Sequence, residues 1–346
     1  MEPDFVLHTA CWERDIDSLK FLMRDKDRDL NEEDIVSGYA PLSIACEVGD
    51  IEIVKLLLND NRIDVNHSES FSKLSPLYVA CEKGQIEVVK LLLKHRKVDV
   101  NKANKYYKTP LYIACSLGYI EIVKLLLDDK RVVDINKAAN NGHTSFSIAC
   151  SKGHIEVMKL LSNDKRVVDV NQAEKKDGET PFYIACGKGH IEIVKLLLNG
   201  QRVDINKANK NGTTPFYIAC KNGHIEVIKL LLNDKRVDIS KARNNGETPL
   251  YIACSCRQIE IVENILASGR EIDINKKVEG KTIIDIMREA KKYWEDEGYQ
   301  CKREICTNII KLVESFKRNP NDTRAKLRLQ LGLTGKIIFY FSNNSF

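Results

Sequence analysis

The chain lacks a long hydrophobic run. Crossing a bilayer takes roughly eighteen or more consecutive apolar residues, and the longest uninterrupted run near the C-terminus covers only 337–341. The marks of a secretory leader are missing too, because Met1-Glu2-Pro3-Asp4 is acidic and no apolar segment follows. A cytoplasmic protein is expected, with the nucleus left open. Nor is there a surplus of one charge over most of the length. The formal net charge is +5, from 54 basic and 49 acidic residues. The segment 317–346 holds Lys317, Arg318, Arg324, Lys326, Arg328 and Lys336 against Asp322 alone, so it carries the whole excess and the rest of the chain is balanced. A balanced body argues against nucleic acid as the main partner.

Catalytic patterns are also missing. No nucleophile–base constellation is visible. Gly332-Leu333-Thr334-Gly335-Lys336-Ile337 lacks the spacing of a phosphate loop and the Ser or Thr after Lys. Cys256, Cys301 and Cys306 match no zinc spacing. No enzyme, cofactor, metal or small-molecule substrate is expected.

What the chain has is a repeat. Thr214-Pro215-Phe216-Tyr217-Ile218-Ala219-Cys220 recurs ending at Cys254, Cys186, Cys115 and Cys81, with weaker copies ending at Cys46, Cys150 and Cys11 and a degenerate one at Met287. The intervals are 33 to 36 residues, and a fixed period of this size means stacked supersecondary units. Each unit reads physically. Thr214 is a helix N-cap with Pro215 at the first helical position, where its missing N–H costs nothing. Gly223 ends that short helix, His224 opens a second one, and Asn245-Gly246 marks the tip of a β-hairpin-like loop. Helices this short are marginal alone, so neighbouring units must cover one another.

The Thr-Pro entry and the period resemble the ankyrin repeat. The resemblance covers residues 4–316 and implies an all-α solenoid of paired short antiparallel helices with β-hairpin-like loops. Its units are expected at about 4–38, 39–73, 74–107, 108–142, 143–178, 179–212, 213–246, 247–280 and 281–316, followed by a basic C-terminal extension, 317–346. The family's signature His is kept only as His8. Tyr78, Tyr112, Tyr183, Tyr217 and Tyr251 replace it, as do Ser43 and Ser147. The resemblance implies a hydrogen-bonding role between units for that His.

Eight of the eleven cysteines share one repeat position. Equivalent atoms in adjacent units stand roughly 8–10 Å apart, too far for a disulfide or a shared metal. They read as small buried hydrophobes in a reducing compartment. His154, His190 and His224 share another position and read as structural. The fifth unit reads as weak, because Ser145 replaces the helix-initiating Pro, Ser162 replaces a Leu, and Val133 and Val168 each double a valine.

The expected function is a scaffold that binds another protein, as a monomer, through a concave face. Positions that agree between units serve stacking, and positions that vary are free to read a partner. On the helix turns and loop tips the N-terminal units hold Trp12, Tyr39, Val48, Phe71, Leu74, Tyr106, Tyr107 and Leu117, where later units hold Asn141, Lys152, Asp177, Lys188, Asn211, Asn222 and Asn245. These eight are the candidate partner-binding strip. The alternative is an adaptor whose tail, through Arg324, Lys326, Arg328 and Lys336, docks an acidic partner, nucleic acid or an anionic membrane.

Overall fold

The structure, a computed structural model, describes residues 5–132, 135–167 and 169–333, except for the side chains of Phe5 and Val6. Val133, Val168, Lys336 and the run 337–341 lie outside the described residues. Two compact units divide the chain, Met1–Lys176 and Asp177–Phe346.

Among the described residues there are nineteen helices and no strand. The first unit holds five helix pairs: α1 (Phe5–Glu13) and α2 (Ile16–Leu22), α3 (Pro41–Val48) and α4 (Ile51–Leu58), α5 (Pro76–Lys83) and α6 (Ile86–Lys94), α7 (Pro110–Leu117) and α8 (Ile120–Asp128), α9 (Ser145–Lys152) and α10 (Ile155–Asn163). The second unit continues with α11 (Pro181–Lys188) and α12 (Ile191–Asn199), α13 (Pro215–Asn222) and α14 (Ile225–Asn233), α15 (Pro249–Ser255) and α16 (Ile259–Ala267). Longer helices close it: α17 (Ile283–Asp296), α18 (Gln300–Arg318) and α19 (Pro320–Gln330).

Local chemistry sets the boundaries. At α7, Thr109 Oγ1 accepts from the Tyr112 amide at 3.1 Å, Pro110 takes the first helical position, and Gly118 leaves the helix at φ 77°. The same arrangement opens α11, α13 and α15. At α9 the missing Pro is offset by a reciprocal cap: Thr144 and Ser147 each accept the other's backbone N–H.

Within each unit, first helices pack on first helices and second helices on second helices. The shared position is small where packing is tightest: Ala45 and Cys46, Ala80 and Cys81, Ala114 and Cys115 are fully buried. Second helices bury one stripe, such as Ile122, Val123 and Leu126 of α8. No helix before α17 exceeds nine residues, so none holds its shape alone.

Polar groups then join each repeat to the one before it. A helix ends with four carbonyls lacking partners and a negative dipole end. The loops after α4, α8, α10 and α14 supply the remedy, while Lys97 stands at that position after α6. Arg131, held by Asp129 at 2.6 Å, reaches back to the carbonyls of Leu93 at 2.6 Å and His95 at 3.2 Å, where α6 ends. Arg62 does the same at Met23 and Asp25, Arg166 at Leu127, and Arg236 at Leu198. Beside them runs a file of asparagines: Asn31, Asn66, Asn101 and Asn136 donate to the carbonyls of Arg62, Lys97, Arg131 and Arg166. His154 and His224 contact the carbonyls of Ser116 and Gly187 in the preceding repeat, as a structural role requires. Their rings also occupy the space where a side chain on Gly118 or Gly189 would stand.

The signature position instead ties each first helix to the loop that follows its own pair. His8 contacts the Glu32 carbonyl at 2.8 Å. Its tyrosine replacements reach the next loop through the hydroxyl: Asn104 donates to Tyr78, Asn209 donates to Tyr183, and Tyr217 donates to Glu247 at 2.6 Å.

At the C-terminal end, α17 and α18 pack as an antiparallel pair, burying Ile283 and Met287 against Cys306, Ile309 and Val313. Helix α19 turns back at Asn319, which caps it, and lies on α16 and α18 with Leu327 buried.

The clamp predicts an acid response. Hydrogen bonds from Arg131 hold the Asp129 carboxyl below its ordinary range, and Asp60, Asp164 and Asp234 are lowered by their own arginines. A lowered pKa contributes stability in full above the ordinary carboxylate range, and the contribution goes as pH falls through the lowered value. Arg131→Ala should therefore cost about 2 kcal/mol at neutral pH, read as a shift in denaturant midpoint. Asp129→Asn should lose less stability than the parent chain between about pH 5 and pH 2. Equal acid sensitivity in the two proteins would show that the Asp129–Arg131 pair contributes nothing.

Candidate protein-binding surface

The loop tips are built by a repeated turn whose last residue has positive φ. Glycine fills it at Gly38 and Gly142 of the first unit, and at Gly178, Gly212, Gly246 and Gly280 of the second. In the first unit Lys73 and Tyr107 occupy the same position at φ 57° and 59°. A left-handed backbone costs a side-chain-bearing residue about 1–2 kcal/mol. These two tips therefore carry strain at a position where the others have glycine, although Glu279 beside Gly280 also takes positive φ, at 51°.

Adjacent tips are tied by backbone. The amide of Lys105 donates to the Ser72 carbonyl, that of Asn140 to Tyr106, and that of Lys175 to Asn141. Between the first two tips the Glu33 carboxylate substitutes, accepting from the Ser70 amide and hydroxyl and facing His67 at 3.1 Å.

Several sequence candidates stand together here. Phe71 is 80% exposed, and Tyr106 and Tyr107 are also exposed. The Lys105 ammonium lies 4.0 Å from the Phe71 ring centre and 5.1 Å from that of Tyr106, joining the two tips. Leu74 and Tyr39 are half-buried behind them. Burial pushes the Tyr39 hydroxyl up to about 12, with Glu47, Glu82 and Glu69 adding to it. Burial also raises the Glu82 carboxyl, so the floor behind the tips is acidic and partly desolvated.

Sequence reasoning missed Ile35 and Val36, which are 82% and 84% exposed on the first tip. Val36 holds the slot of Phe71, two residues before the positive-φ position. The signal lay in the turn register: Asp34 accepts from the amides of Val36 and Ser37, which marks 34–38 as a turn. An Ile-Val pair read by hydropathy alone passes for a core strand.

The helix-face candidates do not form a row. Trp12 follows Cys11 directly, so it shares a register with Glu47 and Glu82 and stands one position before the slot of Val48 and Leu117. Val48 is half-buried, and its carbonyl accepts from Arg14. Lys83, paired with Glu47 at 2.6 Å, falls between Val48 and the exposed Leu117. The continuous apolar strip expected across helix turns and tips is thus carried by the tips alone.

The tail candidates are placed differently. Arg324 and Arg328 are half-buried, with side chains beside Gly269 at the end of α16, and Arg324 lies 5.6 Å from the centre of the Phe316 ring. Lys326 is exposed and paired with Asp322. Lys336 lies outside the described residues.

The cysteine position is closed to solvent. All eight thiols are buried, and burial raises those of Cys46, Cys81, Cys115, Cys220 and Cys254 and pushes Cys11 up to about 12. A raised thiol is a poor nucleophile and metal ligand. Among the described residues, no three His, Cys, Asp or Glu side chains converge as a metal site. No helix there is long and apolar enough to cross a membrane.

A family model described as ankyrin repeats (3 copies) matches in overlapping segments, 7–104, 42–139, 97–172, 130–209 and 200–278. The chain belongs to the ankyrin-repeat family. No curated protein matches it. Ankyrin repeats are in general protein-interaction modules.

The strained ankyrin tips give a direct test. Tyr107→Gly should raise stability by about 1 kcal/mol, because glycine takes positive φ freely. The denaturant midpoint reads this, and a midpoint that falls would mean that the Tyr107 ring supports the fold.

Proposed function

We propose that the chain is a non-catalytic scaffold that binds a partner protein through the ankyrin hairpin tips of its first unit, at the rim of the concave face. The observation that carries this is the pairing of strain with exposure. Lys73 and Tyr107 hold a backbone conformation that glycine takes freely elsewhere in the chain, and next to them Phe71, Tyr106 and Tyr107 face solvent. Positive φ at a side-chain-bearing residue costs stability, and strain held at a surface is a pointer to function. Exposed aromatic side chains in a contiguous patch are the usual anchors of protein interfaces.

In this reading Val36, Phe71, Tyr106 and Tyr107 are the anchors. Tyr39 and Leu74 shape the floor behind them, and Trp12, Val48 and Leu117 are flanking contacts. The repeat array ends with 281–316. The described part of the basic extension, 317–333, acts first as an end cap, because α19 directs Arg324 and Arg328 onto the end of α16.

Affinity capture from native cytosol, with the intact chain and variants side by side, tests the assignment. Phe71→Ala, or Tyr106→Ala with Tyr107→Ala, should weaken partner binding by about 2 kcal/mol or more while melting stays cooperative. Asn211→Ala and Asn245→Ala should have little effect. Binding that survives the tip changes and is lost with the second-unit loops would refute it.

A further inference from the structure

Resting on that reading, we infer that the segment bound at the first-unit tips is acidic: a peptide stretch in which Asp or Glu flanks bulky apolar side chains. Charge is left over at these tips once the fold has used what it needs. Three carboxylates of the first two tips, Asp34, Glu33 and Glu69, are turned inward, while Glu32 beside them is exposed. Asp34 accepts from the Val36 and Ser37 amides and the Ser37 hydroxyl. Glu33 is taken by Ser70 and His67. Glu69 is buried and closes its own turn by accepting from the Phe71 and Ser72 amides at 2.6 and 2.5 Å.

The cations of the second and third tips are not balanced in this way. Lys73 is exposed, and Lys105 and Lys108 are half-exposed; none of the three makes an ion pair among the described residues. Glu82 acts on Lys108 only from beyond ion-pair distance. The outward charge of the tip row is therefore positive, and it is interleaved with the apolar anchors.

The position of Lys105 makes this specific. Its ammonium rests between Phe71 and Tyr106, 4.0 and 5.1 Å from the ring centres. A carboxylate that pairs with Lys105 brings its neighbouring side chains onto those two rings. A partner without a carboxylate there would strip water from Lys105 and return nothing, and a basic partner would be repelled. Charge at this row thus selects among partners that the apolar anchors alone would accept equally.

The test is a selection with the full chain against a displayed library of random peptides, followed by affinity measurement of individual binders. Each binder is measured on the parent chain, on Phe71→Ala and on Lys105→Glu, with Lys73→Glu as a second charge variant and melting curves as the folding control. Binders that lose about tenfold or more with Phe71→Ala are expected to be rich in Asp and Glu beside Leu, Phe or Trp. They should also lose about fivefold or more with Lys105→Glu, with the loss shrinking as salt is raised. Phe71-dependent binders that are neutral or basic, or indifferent to both charge variants, overturn the inference and leave the tip site standing. A selection that yields no Phe71-dependent binder overturns the tip site itself, and this inference with it.

Discussion

The structure depends on one constraint: no repeat can satisfy its own helix ends. Helices of seven to nine residues leave most of their terminal carbonyls without partners inside the helix. Arg131 supplies what α6 lacks, Arg166 what α8 lacks, and Arg236 what α12 lacks. Asparagines, histidines and the tip amides add further links between the same neighbours. Stability is then a property of interfaces between repeats more than of the repeats themselves.

That constraint explains the division of labour on the surface. Positions that serve capping and stacking vary little, so the counterparts of Thr109, Pro110, Cys115 and Gly118 return in most repeats. The tips need only one backbone hydrogen bond to the next tip, made by the Lys105 and Asn140 amides whatever side chain they carry. Side-chain identity is free of the fold at the outward positions of the tips, such as 71, 106 and 107, while Glu33, Asp34, Glu69 and Asn104 serve the turns themselves. Where that freedom is used for exposed aromatics, and even for a strained backbone at Tyr107, recognition is the physical reason that fits.

Much of this was legible in the sequence. The period and the Thr-Pro entry expose the stack because capping and proline geometry act locally, and the cysteine position could be read as buried from spacing alone. The arginine clamp was not legible: Asp129 and Arg131 look like ordinary loop charges until the α6 carbonyls are placed beside them. Trp12 was misread by one position because the first repeat lacks the glycine that sets the register, with Arg14 at positive φ instead. Ile35 and Val36 were overlooked because hydropathy cannot separate a buried pair from one raised on a turn. In the tail, charge marked Arg324 and Arg328 as docking candidates, but did not show that their side chains would lie beside Gly269 at the end of α16.

The central claim is that each repeat is held by its neighbour's polar groups. Native-state hydrogen exchange on Arg62→Ala, which cuts the link from the second repeat to the Met23 and Asp25 carbonyls, tests it most directly. The account predicts that the amides of α1 and α2 lose protection together, while those of α7 and α8 keep theirs. Loss confined to the loop around residues 60–62, with α1 and α2 protected as before, would contradict it.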